Sequence, residues 1–428
     1  MTHVLVAGVS TRAAAESAAR AGFAVTAIDA FGDLDQHPSV GGLALPHNFT
    51  ARAAAMAART VECDAVVYLS SFENHPKAIT TLAEGRALWG NSPETVRRVR
   101  DPLLLAEALE ARGFVVPRVY VGSGFSRTVA DDEVRLPASA RRSASYGEAT
   151  PKRDMNSSAR DGGKADPTYV NKYVDQWLVK PLASGGGQRI RLWDPATTLP
   201  RGCYLQEFIN GPAGSVVFVA AGGRAVPIGV SRLLVGEPAF GAEGFEYCGN
   251  ILTVAPRDNA PEFSRDEALV KAAGALAQAV VDEFGLVGVN GIDFIARGVE
   301  PCAIEVNPRW CASMELVERA YGLSVFEAHA SACAFGRLPD FDLVRARRGA
   351  AAAGKAIIYA RHDVTVGDTR TWLTKHESIR DIPRPGASIS SGRPVCTILA
   401  DAPNTAACHA ALLESASRLY AQLEAWCA

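Results

Sequence analysis

Over residues 1–92, short apolar runs alternate with Ala-rich segments whose apolar positions recur three and four apart. "HVLVAGVS" reads as a buried strand, "TRAAAESAARAGF" as an amphipathic helix and "AVTAIDA" as a second strand. "CDAVVYLSS", Cys63 to Ser71, is another buried strand behind an Ala-rich helix, and "RALWGNSP" closes the region. This alternation predicts a parallel, doubly wound sheet, so residues 1–92 are expected to form a Rossmann-like domain. The first turn carries Gly8 and Ser10 but no G-x-G-x-x-G, and a dinucleotide fingerprint is absent.

The pattern then changes. "SPETVRRVRDPLLLAEALEARGFVVPRVYVGSG" predicts two helices and a strand, with Ser92 as N-cap and Pro93 at the first helical position. Residues 137–167 hold almost no large apolar residue and predict a mobile insertion. Strands resume around the glycine run of "QWLVKPLASGGGQRIRLW", and "CYLQEFINGPAGSVVFVAAGGRAVPIGVSRLLVG" reads as a strand, a turn and a meander. A long amphipathic helix, "RDEALVKAAGALAQAVVDEFGL", precedes the hairpin "NGIDFIARGVEPCAIEVNPRW". Residues 345–428 are β-rich and end on an amphipathic helix. The whole predicts a multidomain α/β and α+β chain: 1–92, 93–340 with its insertion near 137–167, and 345–428.

Composition narrows the partners. The 428 residues carry Lys+Arg 44 against Asp+Glu 46, a net charge of -2, which argues for neither nucleic acid nor an acidic membrane surface. The nine Cys show no C-x-x-C pair and no zinc spacing, a pattern of reduced thiols. No apolar run reaches the ~20 residues of a membrane span, and no charged stretch precedes a hydrophobic leader. A cytoplasmic protein is expected.

The hairpin carries the sharpest chemistry. Centring its turn near Val299 pairs residues whose numbers sum to 598: Ile292 with Val306, Phe294 with Ile304 and Ala296 with Cys302, all apolar. The other face sets Asp293 across from Glu305, with Asn307 beyond and Arg309 two residues further. Facing carboxylates roughly 5 Å apart at Cβ repel unless a positive group sits between them. Either a Mg²⁺ ion fills that gap, taking hard oxygens from Asp293, Glu305 and Asn307, or the pair lies on a solvated face against arginines. Upstream, Lys180 ends an apolar strand before Ser184, Gly185, Gly186 and Gly187. Such a loop brings backbone N–H groups close to phosphate oxygens, or simply turns a hairpin. "YLQEFINGPAGS" places Glu207, Phe208 and Ile209 in an extended linker whose backbone can meet an adenine edge, with Glu207 near a ribose.

In this order the pieces resemble the ATP-grasp superfamily, in the branch of predicted ATP-dependent carboligases related to biotin carboxylase. The resemblance rests on the N-terminal Rossmann-like unit, "WLVKPLASGGGQRI", "LQEFINGPAGS", "NGIDF" and "EVNPRW", and "PRPGASISSGRPVCTILA" is similar to the β-rich hybrid motif that caps such enzymes. It implies ATP held between two α+β subdomains with Mg²⁺ on its phosphates. Lys180 would contact the α- and β-phosphates, the loop of Ser184 to Gly187 would cover the triphosphate, and Glu207, Phe208 and Ile209 would frame adenine and ribose. Asp293, Glu305 and Asn307 would carry the metal, and Arg309 would stabilise an acyl phosphate or a substrate carboxylate. The family's usual Asp-Lys pair after the first domain is Asp101-Pro102 here, so Arg97, Arg98 or Arg100, or one of Lys152, Lys164 and Lys172, takes over that phosphate contact, or the contact is missing.

Glu73, Asn74 and His75 end a strand of the first domain where it faces the cleft, and are expected to contact the acceptor substrate. Arg232 is expected to hold a substrate carboxylate. The implied reaction joins a small-molecule carboxylate to an amine through an acyl phosphate, releasing ADP and phosphate, with a substrate linked to one-carbon pterin cofactors as one option. Bicarbonate carboxylation of a separate biotin carrier, or nucleotide binding without catalysis, are the alternatives. Relatives of biotin carboxylase are often dimers, which leaves a homodimer open.

Overall fold

The computed structural model describes residues 1–45, 49–121, 176–255, 263–375 and 378–427; the insertion expected at 137–167 lies outside them. Five strands at the N-terminus form one sheet, in spatial order Val40–Ala44, Ala24–Asp29, His3–Ala7, Ala65–Tyr68 and Ala87–Leu88, all paired in parallel. The central strand contributes Val4, Leu5, Val6 and Ala7, each fully buried between helices on both faces. Gly8 follows because the chain passes close to the neighbouring strand end: a Cβ there would lie 2.5 Å from Leu69 Cβ. Its role is packing, which agrees with the missing dinucleotide motif.

The second sheet has eight strands, in order Glu300–Asn307, Gly288–Arg297, Ala213–Ala221, Arg224–Val235, Tyr247–Leu252, Ala352–Tyr359, Pro394–Ala402 and Ile379–Arg380. The β-rich C-terminal segment joins this sheet through Tyr247–Leu252, with Gly249 opposite Ala356. Long helix Phe263–Phe284 covers one face, its Val270, Ala273, Ala277, Val280 and Phe284 packing on Val216, Phe218, Ile292 and Phe294. Each such large apolar side chain stabilises the fold by about 1.5–3 kcal/mol on burial. Helices Met314–Tyr321 and Val325–Phe335 pack on the other face, against Val217, Val219 and Val289. A third, four-stranded sheet orders Val119–Val121, Cys203–Glu207, Trp177–Pro181 and Arg191–Leu192. Among the described residues no helix is long and apolar enough to cross a membrane.

The N-terminal sheet is tied to the rest by charge. Arg12 opens the first helix, is 1% exposed, and bonds Glu315 at 2.6 Å and Asp381 at 2.9 Å, with Asp35 at 3.7 Å. Lys355 reaches the other oxygen of Glu315. A guanidinium buried among carboxylates from three distant segments fixes their relative placement, because removing any partner leaves a buried charge uncompensated.

One buried group makes stability depend on pH. His329, on Val325–Phe335, accepts the Val289 N–H at Nδ1, 3.0 Å away, and burial pushes its pKa down to about 4. The unfolded chain therefore binds a proton that the folded one refuses between pH 6.5 and about 4. The sign is that stability is full above pH 6.5 and falls as pH drops, by about 2 kcal/mol at pH 5. Urea midpoints at pH 7 and pH 5 read this, and His329→Gln should flatten the difference; an equal fall in the variant would assign it elsewhere.

Candidate active site

The period of two along each strand decides which side chains meet. In Trp177–Pro181, Trp177 and Val179 enter the small core with Leu205, so Leu178 and Lys180 turn to the other side. In the central hairpin Ile292, Phe294 and Val306 pack under the long helix, which turns Asp293, Ile295, Glu305 and Asn307 the opposite way. Between these two polar faces lies a cavity of about 400 Å³.

The hairpin pairs Ile292 with Val306, Asp293 with Glu305 and Gly291 with Asn307, as the turn near Val299 requires. It then departs from the expected register. A bulge at Asp293/Phe294 sets Phe294 opposite Ala303, not Ile304, and Ala296 opposite Pro301, not Cys302. Ile304 is the extra residue, and it turns into the cavity instead of the core. Its carbonyl accepts Gln206 Nε2 at 3.2 Å and Lys180 Nζ at 3.5 Å. Lys180 also donates to Gln206 Oε1 at 3.1 Å.

The two facing carboxylates differ in environment. Burial and then the Glu305 charge raise Asp293 to about 6, against hydrogen bonds from Ser215 and Asn307. Burial acts on Glu305 too, but the charges of Arg100 and Lys180 outweigh it and hold its pKa below the usual value. Asn307 links the pair to Arg309: its Nδ2 donates to Asp293 at 3.0 Å, and its Oδ1 accepts Arg309 Nη2 at 3.0 Å. Arg309 Nε donates to Glu73 at 2.7 Å, and Nη1 to the Trp310 carbonyl.

The cavity lining includes Lys180, Gly186, Gly187, Glu207, Phe208, Ile209, Asp293, Glu305, Asn307 and Arg309. Gly187 has φ +72° and a Cβ there would sit 1.8 Å from the Phe245 carbonyl, while the Gly186 carbonyl accepts Tyr247 N–H at 2.9 Å. The glycine run thus lies in the connection of an antiparallel hairpin, between Trp177–Pro181 and Arg191–Leu192, and rests on residues 245–247. Phe208 meets Phe245 edge to face, centroids 6.3 Å apart. Glu207 accepts from Arg118 at both oxygens. The N–H groups of Glu207 and Phe208 are spent on Arg118 and Gln176 carbonyls, so a base edge would be met by other groups of the linker.

Six expected residues lie outside this lining. Ser184 Oγ donates back to the Pro181 carbonyl, and Gly185 is exposed. Arg232 is on the opposite face of its strand from Leu233 and Val235, with Glu237 at 4.0 Å. Glu73 is buried behind Arg309, Asn74 bridges Arg100 and the Ser184 carbonyl, and His75 is exposed at a helix start. Alternation along a strand cannot reveal the first two contacts, which join residues 236 and 26 apart.

Arg100 reaches Glu305 through Nη1. Arg97 instead pairs with Glu94 and Arg98 stacks on Phe284, while Lys152, Lys164 and Lys172 lie outside the described residues. Pro102 opens a helix capped by Asp101. Cys311 also lines the cavity, but burial raises its pKa to about 12, so it stands there as a thiol.

Residues 149–313 match the model of the ATP-grasp domain. The central part of this chain is an ATP-grasp domain. Solved structures place the surrounding fold in the same company. The chain is similar to the L-amino acid ligase of Bacillus licheniformis (18% identity, TM-score 0.62, 97% of this chain and 96% of that one). It is similar also to N5-carboxyaminoimidazole ribonucleotide synthetase of Thermotoga maritima (16%, 0.59, 98% of each). A third is the biotin carboxylase domain of Hydrogenobacter thermophilus 2-oxoglutarate carboxylase, solved with MgADP and bicarbonate (16%, 0.62, 94% and 86%). Among curated proteins, an uncharacterized protein of Methanocaldococcus jannaschii is 22% identical over 242 residues, which span about half of each chain, 54%. The matched residues 149–313 lie between the N-terminal parallel sheet and the β-rich C-terminal segment.

Proposed function

We propose that the protein is an ATP-dependent ligase that activates a small-molecule carboxylate as an acyl phosphate and passes the acyl group to an amine. The observation that carries this reading is the convergence of Lys180, Asp293, Glu305, Asn307 and Arg309 on one cavity closed by the Gly186–Gly187 loop. Such a set suits ATP as the second substrate. Leu178, Ile190, Ile295 and Ile304 supply apolar walls for a base, and Lys180 is a buried ammonium whose described partners are neutral oxygens, ready for phosphate.

The donor set fits magnesium. Asp293 and Glu305 offer hard carboxylate oxygens, Asn307 an amide oxygen with a second lone pair, and Mg²⁺ sites are usually completed by substrate phosphates. Among the described residues no three His, Cys, Asp or Glu come together to hold a metal, so the protein's share of the site is two carboxylates and one amide, with phosphate oxygens completing it. When bound, the ion neutralises phosphate charge and orients the terminal phosphoryl group.

The chain's own residues then have separable tasks. Lys180 and Arg309 flank the carboxylate pair and offset the repulsion between a substrate carboxylate and the triphosphate. Arg309, held by Glu73 and Asn307, presents a fixed guanidinium to the carboxylate that becomes the acyl phosphate. The carboxylate oxygen bonds to the γ-phosphorus as the bond to ADP breaks, and the amine then displaces phosphate from the acyl carbon. The covering glycine loop keeps water from the mixed anhydride meanwhile.

The reading is tested by ADP release with Mg-ATP against a panel of carboxylates and amines, including pterin-linked acids, and against a metabolite extract with mass analysis of what is consumed. ADP formed only when both a carboxylate and an amine are present supports the ligase. Release that needs bicarbonate and a biotin carrier would favour carboxylation, and tight ATP binding without turnover on any mixture would favour a binding protein.

A further inference from the structure

The charges around the facing carboxylates are unevenly committed. Arg309 pairs with Glu73, whose side chain is 1% exposed, and Lys180 bonds neutral oxygens. Arg100 alone among these three cations makes a direct ion pair with Glu305. Its remaining bonds are to uncharged acceptors: Nη1 donates to the Val306 carbonyl at 3.3 Å, and Nη2 to Asn74 Oδ1 at 3.1 Å and to the Ser184 carbonyl at 3.3 Å. Its Nε is buried with no hydrogen-bond partner among the described residues.

We propose that Arg100 is the resident counter-ion of Glu305 in the nucleotide-free protein, and that it hands that carboxylate to a divalent cation and turns its freed donors to the phosphate end of ATP. The proposal rests on the reading of the cavity as an ATP site. A guanidinium in contact with Glu305 and a divalent ion on the same carboxylate repel each other at contact distance, so the two compete. Uncharged anchors at Asn74 and Ser184 keep the side chain beside Glu305, which lines the cavity, when Nη1 releases that carboxylate, because neither bond depends on Glu305. The idle Nε becomes useful in that state, since a phosphate offers acceptors that a guanidinium edge matches with two parallel bonds. Through Ser184 the same side chain holds the base of the glycine loop, so loop position and cation occupancy are read by one residue.

The test uses the full chain, as Arg100→Gln and Arg100→Lys, with two binding measurements. Mn²⁺ titrated into nucleotide-free protein should bind Arg100→Gln about tenfold more tightly than wild type, the competitor having gone, while ATP in excess Mg²⁺ should bind about tenfold more weakly. AMP, which lacks the terminal phosphates, should bind both alike. Arg100→Lys, still cationic but without the fork, should fall between them in each titration, and it carries the test if the Gln variant does not fold. A merely structural arginine would move both affinities in the same direction or neither. Unchanged or weaker Mn²⁺ binding in both variants overturns the counter-ion assignment; tighter Mn²⁺ with unchanged ATP binding overturns the phosphate contact. Wild-type protein that binds no ATP while Mn²⁺ still tightens in Arg100→Gln would sink the ATP reading and leave the counter-ion standing.

Discussion

Glu305→Ala is expected to lower ADP release by about a thousandfold or more while leaving the protein folded. The argument starts from the pairing of Asp293 with Glu305 across the hairpin. Two half-buried carboxylates give a divalent ion the hard-oxygen ligands it needs; one carboxylate, with Arg100 no longer neutralised beside it, does not. Stability follows a different balance. Deleting Glu305 removes the charge that helps raise the Asp293 pKa, a gain, and leaves Arg100 without its ion pair, a loss. These offset each other in part, and Arg100 keeps bonds to Asn74, Ser184 and the Val306 carbonyl. A urea midpoint near that of wild type beside absent turnover is the expected result. Turnover within tenfold of wild type would remove the cation from Glu305.

The hairpin was readable because both of its constraints are local. A turn near Val299 and an apolar alternate face fix a register, and the register fixes which carboxylates meet. The bulge escaped because it inserts one residue without breaking the apolar pattern: Ala303 fills the core position that Ile304 was expected to take. Lys180 and the glycine run were readable for a similar local reason, a strand end followed by residues that tolerate close backbone approach. The parallel N-terminal sheet announced itself through its repeated strand and helix periods. What could not be read were contacts between distant segments. Arg100 and Glu305 are 205 residues apart, Arg309 and Glu73 are 236 apart, and no periodicity links them. Arg232 was misplaced by its neighbourhood: a loop beside a cavity does not say which face of the preceding strand looks inward. The C-terminal strands likewise extend the central sheet through a pairing of Asn250 with Lys355, invisible to local alternation.

Arg309→Lys is expected to keep the fold and the affinity for ATP while cutting turnover by about a hundredfold to a thousandfold. Arg309 spends Nε on Glu73, Nη1 on the Trp310 carbonyl and Nη2 on Asn307. A lysine supplies one charge to Glu73 and thereby avoids the cost, about 3–5 kcal/mol, of leaving that buried carboxylate unpaired. It cannot span three acceptors with one ammonium, so Asn307 loses the donor that orients its amide toward Asp293. The cationic edge presented to the substrate carboxylate is lost with it. Because Arg309 follows the hairpin strand Glu300–Asn307 while Lys180 comes from the four-stranded sheet, ATP binding should be nearly unchanged and the loss should fall on kcat. Glu73→Gln probes the same contact from behind. It keeps the shape and one acceptor oxygen for Arg309 Nε but removes the buried charge, so the guanidinium is less firmly held and turnover should drop by less than in Arg309→Lys. Equal kcat in wild type and Arg309→Lys would mean that the fork only braces the hairpin, and would send the search for the acyl-stabilising group elsewhere in the cavity.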